Sequence, residues 1–222
     1  MYLTLLRTNR NFRLLYIGQA ISQLGDWFNA VAVYALLLDL TGSATAVAWM
    51  LITQYLPVAF VGPLAGVVVD RVNRRRLMIN ADLVRGVLIL GLLLVRRGDQ
   101  VWIAYVVMAL SVAASAFFEP ARTATIPNIT SAEELLPANA LSAATWSAML
   151  AIGASVGGVV TAAFGRDVAF VANAASFFCS AFFIARTRYD ATPTAQARPA
   201  ELGAASAPSA PSSGARSAPK TR

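Results

Sequence analysis

The chain has no histidine, one cysteine (Cys179) and one lysine (Lys220) in 222 residues. Without histidine, a Ser–His hydrolase and a His-ligated metal centre are excluded. One thiol cannot assemble a zinc or haem site, so no metal and no cofactor are expected. Cys179 lies in an apolar run, where a thiol serves as a small buried hydrophobe. The lysine belongs to no glycine-rich phosphate loop, which argues against an ATP-driven pump. Charge is scarce too. Charged residues make up 13% of the chain, against roughly a quarter in soluble domains.

What fills the space is apolar. Hydrophobic residues are 57% of the chain and the mean hydropathy is +0.60. A formal net charge of +7 and a pI near 10.3 would suggest nucleic acid in a soluble protein. Here the arginines sit between apolar runs, so they point to orientation in a membrane and no nucleic-acid partner is expected.

A bilayer core of ~30 Å takes about 20 apolar residues in a helix. Six segments suit that length: Phe12–Leu40, Thr45–Val69, Leu77–Val95, Val101–Ala124, Pro137–Phe164 and Val168–Ala185. The first exceeds the need and should tilt or project beyond the lipid. Thr41-Gly42-Ser43, Arg96-Arg97-Gly98-Asp99 and Gly165-Arg166-Asp167 read as short connectors. Thr130 and Ser131 are each followed three residues on by a glutamate, Glu133 and Glu134. This capping-box pattern predicts a short surface helix ahead of the fifth span. No cleavable leader is expected. Arg7, Arg10 and Arg13 resemble a basic leader region, but the apolar run after them is too long and ends in no small-residue cleavage site.

Ten arginines flank the spans on one side (7, 10, 13, 71, 74, 75, 76, 122, 186 and 188), and three on the other (96, 97 and 166). The positive-inside rule therefore predicts both termini in the cytoplasm, as an even number of spans requires. Residues 1–188 form the membrane unit. Residues 189–222, rich in Ala, Pro and Ser, read as a disordered cytoplasmic tail.

Polar residues inside an apolar span need partners or water. Gln19, Ser22, Gln23, Asp26 and Asn29 have offsets 0, 3, 4, 7 and 10 in the first span, one face of a helix. They are expected to face a wet cavity or neighbouring helices, as a substrate or ion pathway. Asp26 stands near mid-span, where carboxylates mark ion, proton or substrate routes. It serves either as a proton carrier, since desolvation favours the protonated form of a carboxyl group, or as a structural tie between helices. Asp82 and Arg85, three apart in the third span, can pair on one face. They form a local ion pair or a gate that breaks and reforms between states. A second aspartate also raises an intramembrane aspartyl protease, which the different expected depths of Asp26 and Asp82 argue against. Gly62 and Gly66, and Gly153 and Gly157 with Gly158 beside it, have the four-residue spacing that lets membrane helices pack closely.

The run Gly66-Val-Val-Val-Asp70-Arg71-Val-Asn73-Arg74-Arg75 falls between the second and third spans. It resembles the major facilitator superfamily signature of Gly, three residues, then Asp-Arg-x-Gly-Arg-Arg. The signature's second glycine is Asn73 here, which tolerates a left-handed turn better than most residues. Three further stretches resemble the superfamily branch that exports siderophores and macrolides. They are Arg10-Asn11-Phe12-Arg13-Leu14-Leu15 with Gly18-Gln19 and Gly25-Asp26-Trp27; Phe118-Glu119-Pro120-Ala121-Arg122 with Ile126-Pro127 and Ala138-Asn139-Ala140-Leu141; and Phe170, Asn173 and Ser176-Phe177. The second of these corresponds to the branch's loop between spans four and five. The likeness covers residues 7–188. The fifth span departs from the antiporter motif Gly-Pro-x-x-Gly-Gly, reading Gly153-Ala154-Ser155-Val156-Gly157-Gly158.

The resemblance implies an all-α membrane fold: a six-helix half bundle made of two three-helix inverted repeats. It also implies proton-coupled efflux of a small drug-like or siderophore-like molecule from the cell membrane, and no enzymatic activity. Gly66, Asp70, Arg71, Arg74, Arg75, Asp82, Arg85, Glu119 and Arg122 are expected to act in a conformational lock. Family members carry twelve spans. A second six-helix half or a homodimer is therefore an expected partner besides lipid, substrate and protons. The alternative is a truncated half with no transport of its own, acting as an assembly partner for another membrane protein or as an inert fragment.

Overall fold

The computed structural model describes residues 2–189. A short α1 (Tyr2–Thr8) precedes six long helices: α2 (Arg10–Thr41), α3 (Ala44–Val69), α4 (Arg74–Leu90), α5 (Val101–Ile129), α6 (Ala132–Phe164) and α7 (Arg166–Ala185). All six long helices, α4 with its 3-10 extension Gly91–Leu94, are long and apolar enough to cross a membrane. The expected spans hold, each starting earlier than expected (α5 counted from Gly98), and the third ends one residue short of Val95. The tail from residue 190 onward lies outside the described residues.

The helix ends follow from local chemistry. Asn9 caps α2, its Oδ1 accepting from the Phe12 amide at 3.0 Å. Gly42, at φ 62°, closes the same helix in the left-handed conformation that glycine adopts without a Cβ clash. Ser131 and Glu134 form the capping box that starts α6.

Three local expectations are corrected. No separate surface helix precedes the fifth span, because the Ser131 cap opens α6 itself, which runs on through Pro137. The stretch Phe118–Pro127 is not a loop. It continues α5, since burial of Phe118, Ala121 and Ile126 in the core outweighs the amide hydrogen bond each proline removes and the clash of its ring with the preceding turn. Asn73 is not left-handed: at φ −65° it caps α4, accepting from the Arg76 amide at 3.0 Å.

The packing has a simple order. α2 lies against α6 and α7, α5 lies against α3 and α4, and α4 touches α7. Exchanging α2–α4 for α5–α7 reproduces this pattern, as two related three-helix units would. α3 and α6 are the outer members. Only 11% of the apolar window of each is buried, against 39% or more in the others.

Apolar cores occupy the two ends of the bundle. One gathers Val33, Leu36, Ile89, Leu92 and Phe170. The other gathers Phe12, Leu15, Met78, Phe118 and Ile184. The polar residues of α2 and α4 lie between them along the chain. The two ends of the described chain meet on one side, where Asn11 donates to the Arg188 carbonyl and accepts from its amide, both at 2.8 Å. The opposite side is tied by Arg96–Asp167 at 2.6 Å and Arg166–Asp39 at 3.3 Å.

Candidate functional site

The α2 stripe opens onto a groove between α2, α5 and α6. One cavity of about 710 Å³ is bordered by Gln19, Ser22, Gln23 and Asp26 on α2, Glu119 and Arg122 on α5, and Trp146 on α6. A second, of about 640 Å³, continues past Asn29, Gln54, Tyr55 and Ser111. The two share Asp26, Trp27, Arg85, Ser115 and Trp146. Asp26 and Arg85 thus stand at the junction of the two.

Arg85 reaches this junction from α4. Its Nη2 donates to both Asp26 oxygens, at 3.0 and 2.9 Å. The guanidinium also lies 4.0 Å from the centre of the Phe177 ring, which holds it by a cation–π contact. The i,i+3 pairing with Asp82 is present but secondary, at 3.7 Å. The Asp82 side chain is fully buried, and neither of its oxygens has a hydrogen-bond partner. Two aspartates from different helices therefore compete for one guanidinium, and the groove-facing one holds it.

A second charge pair lies along the groove from the first. Arg122 donates to Glu119 at 2.9 and 3.2 Å, and its Nη1 donates to the Gln19 side-chain Oε1 at 3.2 Å. Gln19 thus links the α2 stripe to α5. At its other end Asn29 is buried and donates to the Met108 sulfur at 3.3 Å. The stripe is graded: Gln19, Ser22 and Asn29 are nearly covered, while the Asp26 side chain is 41% exposed.

The residues expected to form one lock separate into three places. Asp70, Arg71, Arg74 and Arg75 sit at the α3–α4 turn. The Asp70 carboxylate is exposed and 3.9 Å from Arg74, which donates to the Ala124 carbonyl at 3.0 Å. Arg75 donates to the carbonyls of Ile184 and Ala185 at the end of α7. Asp82 and Arg85 lie mid-bundle. Glu119 and Arg122 border the groove.

The glycines also divide. A Cβ at Gly153 would meet Trp27 at 2.7 Å, and one at Gly157 would meet the Phe28 backbone at 3.0 Å. These two let α6 approach α2. At Gly62, Gly66 and Gly158 a Cβ would meet nothing within 4 Å. Close packing at these three is not found within the described residues, because their faces look away from the bundle.

Sequence reasoning missed the aromatic wall, Trp27 and Trp146, since aromatic residues in an apolar span carry no periodic signal. It also missed the route from Arg85 to Asp26, which joins residues 59 apart. One signal was available: Asn173, Ser176 and Ser180 repeat at helical spacing in α7. They face α2 at its glycines, however. A Cβ at Gly25 would lie 2.2 Å from the Ser176 hydroxyl and 2.6 Å from the Asn173 side-chain Oδ1.

Comparison with known proteins agrees with this architecture. The chain is 28% identical over 183 residues to "Putative bacilysin exporter BacE" of Bacillus subtilis, covering 82% of this chain and 45% of that protein. It is 28% identical over 189 residues to the uncharacterized MFS-type transporter YfiS of the same organism, covering 83% and 45%. Macrolide efflux protein A of Streptococcus pyogenes is 31% identical over 126 residues, covering 56% of this chain and 31% of that protein. The chain thus spans a little under half the length of the first two of these relatives. No solved structure gives a significant match. A family model described as "Transmembrane secretion effector" matches residues 4–208, and the chain belongs to that family, within the major facilitator superfamily.

Proposed function

We propose that this chain is one six-helix half of a secondary active exporter, whose groove carries a small drug-like or siderophore-like molecule outward in exchange for protons. The observation that carries this reading is the Asp26–Arg85 pair at the junction of the two cavities. Around it three carboxylates (Asp26, Asp82 and Glu119) face two guanidiniums (Arg85 and Arg122). A proton or a cationic substrate would balance the excess negative charge, which is costly at the fully buried Asp82. Asp26, being the accessible partner of Arg85, is the group that exchanges it. The exporter names of the relatives support the direction, and both termini lie in the cytoplasm on the ten-to-three arginine bias.

Alternating access requires two six-helix units rocking about a site between them. The outward faces of α3 and α6, with Gly62, Gly66 and Gly158 open, are where the second unit docks. Asp70, Arg71 and their neighbours at the α3–α4 turn would latch the closed state against it. A second reading is that this half moves nothing and serves as an assembly partner or an inert fragment; its span of a little under half the relatives' length favours that reading.

The first test is efflux in cells with and without the gene, across a panel of antibiotics and siderophores. Reduced accumulation of at least one compound is expected. The second is proton-linked transport in liposomes, which D26N should abolish. Transport unchanged by D26N would remove Asp26 as the proton carrier. The purified chain transporting alone would remove the second reading.

A further inference from the structure

A separate cavity of about 460 Å³ lies at the end of the bundle where the two ends of the described chain meet, and four of its six lining residues are arginines: Arg10, Arg75, Arg186 and Arg188. They come from three helix ends. Arg10 opens α2, Arg75 is in the first turn of α4, and Arg186 and Arg188 follow α7. The groove charges play no part in it. Arg75 is already engaged with the carbonyls that end α7, which cancels the negative end of that helix dipole. Among the described residues, Arg10, Arg186 and Arg188 form no ion pair. Arg10, Arg186 and Arg188 are exposed and border one cavity, and an anion there would relieve their mutual repulsion.

What lies below the cavity says which kind of anion. The Arg186 guanidinium sits 4.5 Å from the centre of the Phe182 ring. Phe182 is 52% exposed and Phe178, one turn further into the span, 38%. Phe178 is seated against Gly86 of α4, where a Cβ would come within 2.8 Å of its ring. An exposed aromatic stripe thus runs down α7 beside α4 from a basic cup at the level of the helix ends. Headgroup above and acyl chain below is the shape of a phospholipid.

We propose that this cup binds the phosphate of an anionic phospholipid, with the acyl chains lying along Phe182 and Phe178. Basic pockets between helix ends on the cytoplasmic face suit such headgroups. Arg10, Arg186 and Arg188 would contact the phosphate, while Arg75 keeps α4 and α7 together beneath it. Retention of lipid needs no substrate and no second half, so this site stands or falls independently of export.

The test uses the full chain purified in detergent and offered equal phosphatidylglycerol and phosphatidylcholine, with bound lipid read by native mass spectrometry. The wild type should retain phosphatidylglycerol preferentially. R186Q/R188Q should lose that preference on the order of tenfold. R186K/R188K, which keeps the charge, should hold most of it. R7Q/R76Q removes two arginines from the same side but outside the cup, and should leave the preference intact. Equal loss in R7Q/R76Q would reduce the effect to general interfacial charge and overturn the site. No preference in the wild type would overturn it as well. A third arm offers inorganic phosphate alone: a lipid site is not emptied by it, whereas displacement of lipid would reassign the cup to a soluble phosphate compound.

Discussion

Two polar stripes run through this bundle with the same spacing and opposite surroundings. On α2, Asp26 is 41% exposed and Gln23 half-buried at the groove, while Gln19 and Ser22 line its wall nearly covered. On α7, Asn173, Ser176 and Ser180 are buried against α2, and the glycines opposite them, Gly18 and Gly25, leave no room for a methyl group without displacement. The spacing of polar residues in a membrane helix reports that one face avoids lipid. Whether that face meets water or another helix depends on the residues across from it. Glycine opposite means contact; serine, glutamate and tryptophan opposite mean a groove.

The largest expected effect is on access from water. In a C179A background, a cysteine at Gln23 should react with a membrane-impermeant maleimide on the order of ten times faster than one at Ser180, since thiol reactivity follows exposure. Labelling rates measured in membrane vesicles check this. Equal rates would erase the distinction between the stripes and leave α2 without its aqueous path.

Next is the contact itself. G25A places a methyl group 2.2 Å from the Ser176 hydroxyl and 2.9 Å from its Cβ. Overpacking of this kind typically costs about 1–3 kcal/mol, read as a lower melting temperature in detergent. Adding S176A should recover part of the loss, because one of the clashing atoms is then gone. A G25A protein as stable as the wild type would mean that α7 does not press on α2 here.

Much of this architecture was legible from residue order. Six apolar runs of membrane length, short connectors and capping residues dictate six helices, because lipid leaves backbone groups no other partner. The α3–α4 turn was legible through Asp70–Arg75, although Asn73 fulfils its place by capping a helix instead of adopting a left-handed turn. Site residues were legible only as candidates. Arg85 could be paired with Asp82 from spacing, whereas its shorter contact, to Asp26, crosses between helices. Trp27 and Trp146 gave no signal, since a tryptophan facing a groove and one facing lipid look alike in sequence. Helix continuity through Pro127 was hidden for the opposite reason: proline reads as a boundary, and burial of the residues around it decides otherwise.

The two aspartates around Arg85 extend the comparison between wet and dry. Removing the Asp26 charge by D26N leaves Arg85, with a side chain 10% exposed, only Asp82 at 3.7 Å as counter-charge. D82N removes a carboxylate that has no hydrogen-bond partner. D26N should therefore destabilise the protein more than D82N. The cycle D26N, R85Q and D26N/R85Q should show a coupling of about 0.5–3 kcal/mol. Thermal unfolding of the four proteins measures it. Coupling near zero, or a D82N effect larger than that of D26N, would place the functional pair at Asp82.

The smallest effect concerns the glycines, and its smallness is informative. G153A forces a methyl group against Trp27 and should lower the melting temperature measurably. G66A meets nothing within the bundle, so in the isolated chain it should be neutral or slightly stabilising, by up to about 1 kcal/mol from the helix propensity of alanine over glycine. The sign should reverse in any assembly where a second unit packs on α3, because Gly66 is then the residue that admits it. Measuring G66A in the isolated chain and again with the candidate second unit present separates a lone bundle from one half of a transporter. If G66A were costly in the isolated chain, α3 would already have a neighbour there, and the face proposed for docking would be closed.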